Sequence, residues 1–94
     1  MSMYDEFLNQ AVRMRNNFKD LVDQPNEPEA RYLRGEIENL ISELKAKKSG
    51  DAIERRLKDM EHHFKELNQE VMDWNHSNQL RGMCEDMLHH TREL

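Results

Sequence analysis

The chain has 94 residues, with 14 Lys and Arg against 19 Asp and Glu, for a net charge of -5. No stretch has the basic excess a phosphate-tracking surface needs, and no Lys/Arg-rich face flanks a broad apolar one, so neither nucleic acid nor membrane is an expected partner. The hydrophobic fraction is 36%, below the roughly 45–50% usual for globular chains.

A single domain this polar has a thin core, so a homo-oligomer, dimer or higher, sharing one core between chains is expected. Cys84 is the one cysteine; it allows no internal disulfide and suits a reducing compartment. There is no run of 18 apolar residues and no charged-then-apolar leader, so the expected location is cytoplasmic.

The first predicted helix covers about residues 3–22. Tyr4, Phe7, Ala11, Met14, Phe18 and Leu21 recur at alternating steps of three and four, with Leu8, Val12 and Val22 widening the stripe. Ser2 and Asp5 have the spacing of a capping box. The linker over 23–28 holds both prolines, Pro25 and Pro28, and no apolar residue.

A second helix is predicted over about 27–48. Asn26 is its expected N-cap, Glu29 the matching third residue, and Ala30, Leu33, Ile37, Leu40 and Leu44 its stripe, with Ile41 and Tyr32 alongside. Gly35 lies inside it and suggests close approach of another backbone. Lys45, Lys47 and Lys48 suit its C-terminal dipole. Ser49-Gly50 ends it, and Asp51 to Glu54 reads as the start of a third helix, an antiparallel neighbour.

That third helix, about 51–75, carries the longest seam: Ile53, Leu57, Met60, Phe64, Leu67, Val71 and Trp74. Continuing the heptad predicts apolar residues at 78 and 81, where the chain has Asn78 and Arg81. Apolar residues resume at Leu80, Met83, Cys84, Met87 and Leu88, after the weak helix formers Asn75, His76, Ser77 and Asn78. Either the chain turns there into a fourth helix over about 78–93, or one long helix carries a phase slip at Ser77. The predicted fold is an all-α antiparallel bundle with coiled-coil-like packing: three long helices, or four if the chain turns near His76.

Two near-identical segments, Asp59-Met60-Glu61-His62-His63 and Asp86-Met87-Leu88-His89-His90, place a carboxylate one helical turn from paired imidazoles. If the chain folds back near residue 76, Asp59, His62 and His63 would face Asp86, His89 and His90, a donor set able to take Zn. The plainer reading is that all six are solvated.

Arg13, Arg15, Asn16, Asn17 and Lys19, with Tyr4 at one end and Arg31 and Arg34 opposite, are candidates for a small anion such as a nucleotide. Met72, Trp74, Met83 and Met87 are candidates for an adaptable partner surface, although core packing explains them as well. No Gly-rich phosphate loop and no nucleophile–base arrangement stands out, and Cys84 sits on an apolar stripe. The leading expectation is a non-enzymatic protein that self-associates and binds another protein as adaptor, inhibitor or regulatory subunit. A metal-binding bundle and a small-anion sequestering oligomer are the alternatives.

Overall fold

Helix α1 (Met3–Leu21) begins as its first residues predict. The Ser2 hydroxyl accepts from the Asp5 amide at 3.3 Å, and the Ser2 amide donates back to the Asp5 carboxylate at 3.4 Å. These coordinates are a computed structural model that describes residues 2–94. At Val22 the backbone becomes extended, and the Pro-containing linker leads into α2 (Pro28–Lys45).

Asn26 does not cap α2. The N-cap is Glu27, whose side chain makes no capping bond, and Pro28 fills the first turn, where its missing N–H is not needed. Glu29 instead accepts from the Asn68 amide at 3.1 Å and so ties the start of α2 to the far end of the next helix.

Helix α2 ends in a Schellman closure. Lys47 donates to the Leu44 carbonyl at 3.1 Å and Lys48 to the Glu43 carbonyl at 3.0 Å. Lys47 has a φ of 52°, the left-handed conformation that glycine usually supplies here. Helix α3 (Gly50–Glu66) then starts from Ser49, two residues ahead of the expected start at Asp51, with the Ser49 hydroxyl accepting from the Ala52 amide at 3.3 Å.

The chief correction concerns where α3 stops. It ends at Glu66 rather than near 75, and the reversal occupies residues 67–73 rather than 75–78. The Asn68 carboxamide accepts from the Glu70 amide at 2.8 Å, while its carbonyl takes Val71 at 2.9 Å and Met72 at 3.2 Å. This local side-chain bonding replaces the helical ladder without Gly or Pro. The Val71 carbonyl in turn accepts from Asp23 at 2.8 Å and Gln24 at 3.3 Å, stitching the turn to the α1–α2 linker.

Asp73 then caps α4 (Trp74–Leu88) by accepting from the Asn75 amide at 3.1 Å. Asn75 to Asn78 are therefore the opening turn of a helix, and a 3-10 turn over Thr91–Glu93 closes the chain.

The described residues form an all-α antiparallel bundle of four helices in which each packs on its neighbours in chain order and α4 returns to α1. Its extents are 37 × 20 × 19 Å. The core takes Phe7, Ala11, Met14 and Phe18 from α1, and Ala30, Leu33, Ile37, Leu40, Ile41 and Leu44 from α2. It takes Ile53, Leu57, Met60 and Phe64 from α3, and Leu80, Cys84 and Met87 from α4.

Phe18 and Phe64 meet edge-to-face across the centre, ring centroids 6.1 Å apart. Leu67 and Val71 are buried as their seam positions demand, but they reach the core from the turn. Trp74, by contrast, is 58% exposed, because the helix restarts at that residue in a new phase. The stripes thus meet one another within one chain.

Candidate functional site

Clefts open on both sides of α2. The first lies between α1 and α2 and encloses about 650 Å³. Phe18 and Ile37 are buried at its base, Val22 and Pro25 line it, and Arg15, Lys19 and Arg34 stand at its mouth. Arg34 donates to the Pro25 carbonyl at 3.1 Å, which holds the linker against α2. Arg15 lies 3.6 Å from Glu38, with both side chains about half exposed, so solvent weakens that pair and leaves the arginine available. Three cations and one carboxylate therefore surround an apolar floor, in a chain that is acidic as a whole.

This cleft brings together four of the anion candidates, Arg15, Asn16, Lys19 and Arg34. The others are elsewhere. Arg13 faces a shallow depression with Glu6, Asn9 and Gln10, and Asn17 reaches Met83 Sδ at 3.7 Å. Tyr4 donates to the Lys48 carbonyl at 2.6 Å, at the opposite end of the bundle, and Arg31 is not among the lining residues.

The second cleft lies between α2 and α3 and encloses about 380 Å³. Arg56 joins two carboxylates of α2, donating to Glu36 at 2.9 Å and, through two nitrogens, to Glu43 at 2.9 and 3.2 Å. These bonds, Glu43 first, hold the guanidinium protonated even more firmly than usual. Beside them the Tyr32 hydroxyl donates to Asp59 at 2.6 Å, and His63 Nε2 is 3.5 Å from the same carboxylate.

The Tyr32 bond is the largest cause holding the Asp59 pKa below its ordinary value, with the nearby His63 adding to it. The same bond, assisted by partial desolvation and the Glu36 charge, pushes the tyrosine up to about 12. Glu36 is the buried acid of the group, 7% exposed, and its second oxygen, Oε2, has no hydrogen-bond partner among the described residues.

Sequence reading did not bring Glu36, Glu43 and Arg56 together in this network. Its available signal was Glu36 and Glu43, seven residues apart beside the apolar stripe and therefore on one helix face. Their meeting with Arg56 depends on the α2–α3 register, which no local pattern encodes.

The two imidazole pairs are not brought together. The hairpin centre lies near residue 70, not 76, so α4 meets α3 in a different register. His62 and His63 line a cleft with Glu29, Glu66 and Leu67, whereas His89 lies beside Ser49, Gly50 and Asp51 at the start of α3. The two places are about 16 Å apart along α3, given 1.5 Å of rise per residue. His90 binds Glu93 at 2.6 Å, and Asp86 is exposed on α4. Among the described residues no group of three or more His, Cys, Asp or Glu converges as a metal site would.

The methionine–tryptophan surface is likewise dispersed. Met72 and Met87 are in the core and Met83 is half-buried, which leaves Trp74 alone in solvent. No described helix is long and apolar enough to cross a membrane. Comparisons with protein-family models, curated proteins and solved structures give no match.

Proposed function

We propose that this chain is a small non-enzymatic binding protein, an adaptor, inhibitor or regulatory subunit, that grips an acidic amphipathic segment of another protein between α1 and α2. One observation carries the reading: an apolar floor of Phe18, Val22, Pro25 and Ile37 lies beneath the cations Arg15, Lys19 and Arg34. An amphipathic helix laid into such a groove buries its apolar face while its carboxylates meet the rim. The overall charge of -5 discourages acidic partners on most of the remaining surface, which favours this cationic mouth.

Chemical-shift mapping with a designed acidic amphipathic helix and its Lys-substituted counterpart tests the reading. Saturable shifts centred on Phe18, Val22 and Ile37 with the acidic peptide alone are expected, lost when Lys19 and Arg34 are both changed to Glu. Equal binding of the basic peptide, or shifts scattered over all four helices, would overturn it.

Self-association is a second reading, favoured by residues 50–76, which hold seven acidic side chains against four basic. The acidic surface would then be this region of another copy, meeting the rim cations through exposed carboxylates such as Asp51, Glu66 and Glu70. Sedimentation separates the two: a dimer abolished by the same double charge reversal supports self-association, and a monomer at every concentration removes it.

A further inference from the structure

We propose that the cleft between α2 and α3 is a binding site for a primary ammonium group. This rests on different residues from the α1–α2 groove and stands apart from that reading. The cleft is walled by Tyr32, Glu36, Glu43, Arg55, Arg56 and Asp59, three carboxylates against two guanidiniums, so one negative charge is left over.

Glu36 supplies the independent observation. It is 7% exposed and faces the cleft, and only its Oε1 is engaged, by Arg56. Oε2 is buried with no donor among the described residues. A buried carboxylate oxygen without a donor carries a desolvation cost that no bond repays, so a group bringing N–H donors and a positive charge has a physical reason to settle there. Tyr32 also lies close to Glu36, but its single proton is directed to Asp59 at 2.6 Å.

The neighbouring groups select the class of cation. A divalent metal needs several oxygens converging at roughly 2–2.6 Å, and the described residues present no such cluster. Arg56, already lodged between Glu36 and Glu43, repels a divalent ion twice as strongly as a monovalent one at the same distance. A compact ammonium carries one charge and up to three N–H donors, which matches the single surplus charge and the oxygens of Glu36 and Asp59.

The ring of Tyr32 lines the cleft beside Asp59 and offers an aromatic face of the kind that favours organic cations. Tyr32 is 45% exposed and bonded to Asp59 in this cleft, and binding requires it to turn aside for a donor to reach the buried Glu36 Oε2. A lysine side chain of a partner protein and a free diamine both present this group.

The test is an NMR titration of the intact chain at neutral pH and low salt with n-propylammonium, and with tetramethylammonium as a cation that has no N–H donor. Saturable shifts at Tyr32, Glu36 and Asp59 with propylammonium, and affinity at least fivefold weaker in Glu36→Gln but unchanged in Glu70→Gln, are expected.

Should Glu36→Gln fail to fold, Asp59→Asn takes its place with the same expected loss, and the wild-type map stands by itself. Equal affinity for tetramethylammonium, an equal loss in Glu70→Gln, or shifts away from the cleft would overturn the proposal. Two further arms, putrescine and N-acetyl-lysine amide, separate the sources. A diamine tenfold tighter than propylammonium marks a free polyamine, and parity with the blocked lysine marks a side chain.

Discussion

A methyl group added at Gly35 would enter open space, since nothing lies within 4 Å of the position. The close backbone approach that Gly35 suggested occurs instead at Gly50, where a Cβ would sit 2.8 Å from the Thr91 carbonyl oxygen. Helix propensity favours Ala over Gly by about 1 kcal/mol in a helix interior. At Gly35 that term acts unopposed, so Gly35→Ala should stabilise the chain by about 1 kcal/mol. At Gly50 the first turn of α3 must part from the 3-10 turn, and such overpacking costs about 1–3 kcal/mol. Gly50→Ala should therefore destabilise despite the better propensity. Urea midpoints of the two variants decide the matter, and equal shifts of one sign would show that Gly50 is not a packing contact.

Within single elements, the apolar spacing was legible and the hydrogen bonding was not. Phe7 to Phe18, Ala30 to Leu44 and Ile53 to Phe64 all lie where their steps of three and four put them. The same steps continue through Leu67 and Val71, and both are buried, yet the backbone there is no longer helical. Burial follows the demand for an apolar side chain at a given distance along the seam, and a turn meets that demand as well as a helix does. What breaks the helix is Asn68, whose carboxamide and carbonyl capture the next amides, and Asp73, which opens α4. Both are ordinary polar letters amid many, and without glycine or proline they carried little weight.

The α2–α3 contact makes a further prediction at this scale. The folded chain raises Tyr32 from 10.0 to about 12 by bonding its proton to Asp59. That contribution is whole below pH 10, declines as the unfolded chain ionises first, and is gone above about 12. Asp59 moves the other way: its folded value is depressed, so its contribution exists above the ordinary value of 3.8 and disappears as pH falls through the folded one. Tyr32→Phe should cost about 1 kcal/mol, the net worth of one such bond, at neutral pH. Its urea midpoint should meet the wild type as pH rises from 10 towards 12. A constant gap across that range would mean the phenol proton is not held by Asp59.

For the molecule as a whole, the decisive relation is between charge and closure. A chain with 35% charged residues was expected to need a second copy to complete its core. Four helices, the arrangement expected if the chain turned after the third seam, let each stripe face two neighbours. The extra reversal at 67–73 is what folds the fourth stripe back onto α3. The metal reading depended on the same global quantity: moving the hairpin centre from residue 76 to near 70 carries His89 and His90 away from His62 and His63. Register between helices is set by the sum of core contacts, so the local repeats that suggested the pairing were silent about it.

Closure also makes α4 a reporter on the entire fold. Cys84 is fully buried between Leu80 and Met87, and burial first, then the Glu61 and Glu85 charges, pushes its thiol well above the ordinary range. A thiol reagent must wait for α4 to leave α3, and α4 is pinned at both ends. Asp73 caps one end, after a turn bonded to the α1–α2 linker, and Thr91 packs on Gly50 beyond the other. Opening α4 alone would break these ties and expose the stripes of α1 and α3 together, which favours a single cooperative transition. The free energy from native-state thiol labelling should then equal that from urea unfolding to within about 1 kcal/mol. Labelling some tenfold faster than this requires, corresponding to about 1.4 kcal/mol, would show that α4 detaches from a bundle of three surviving helices.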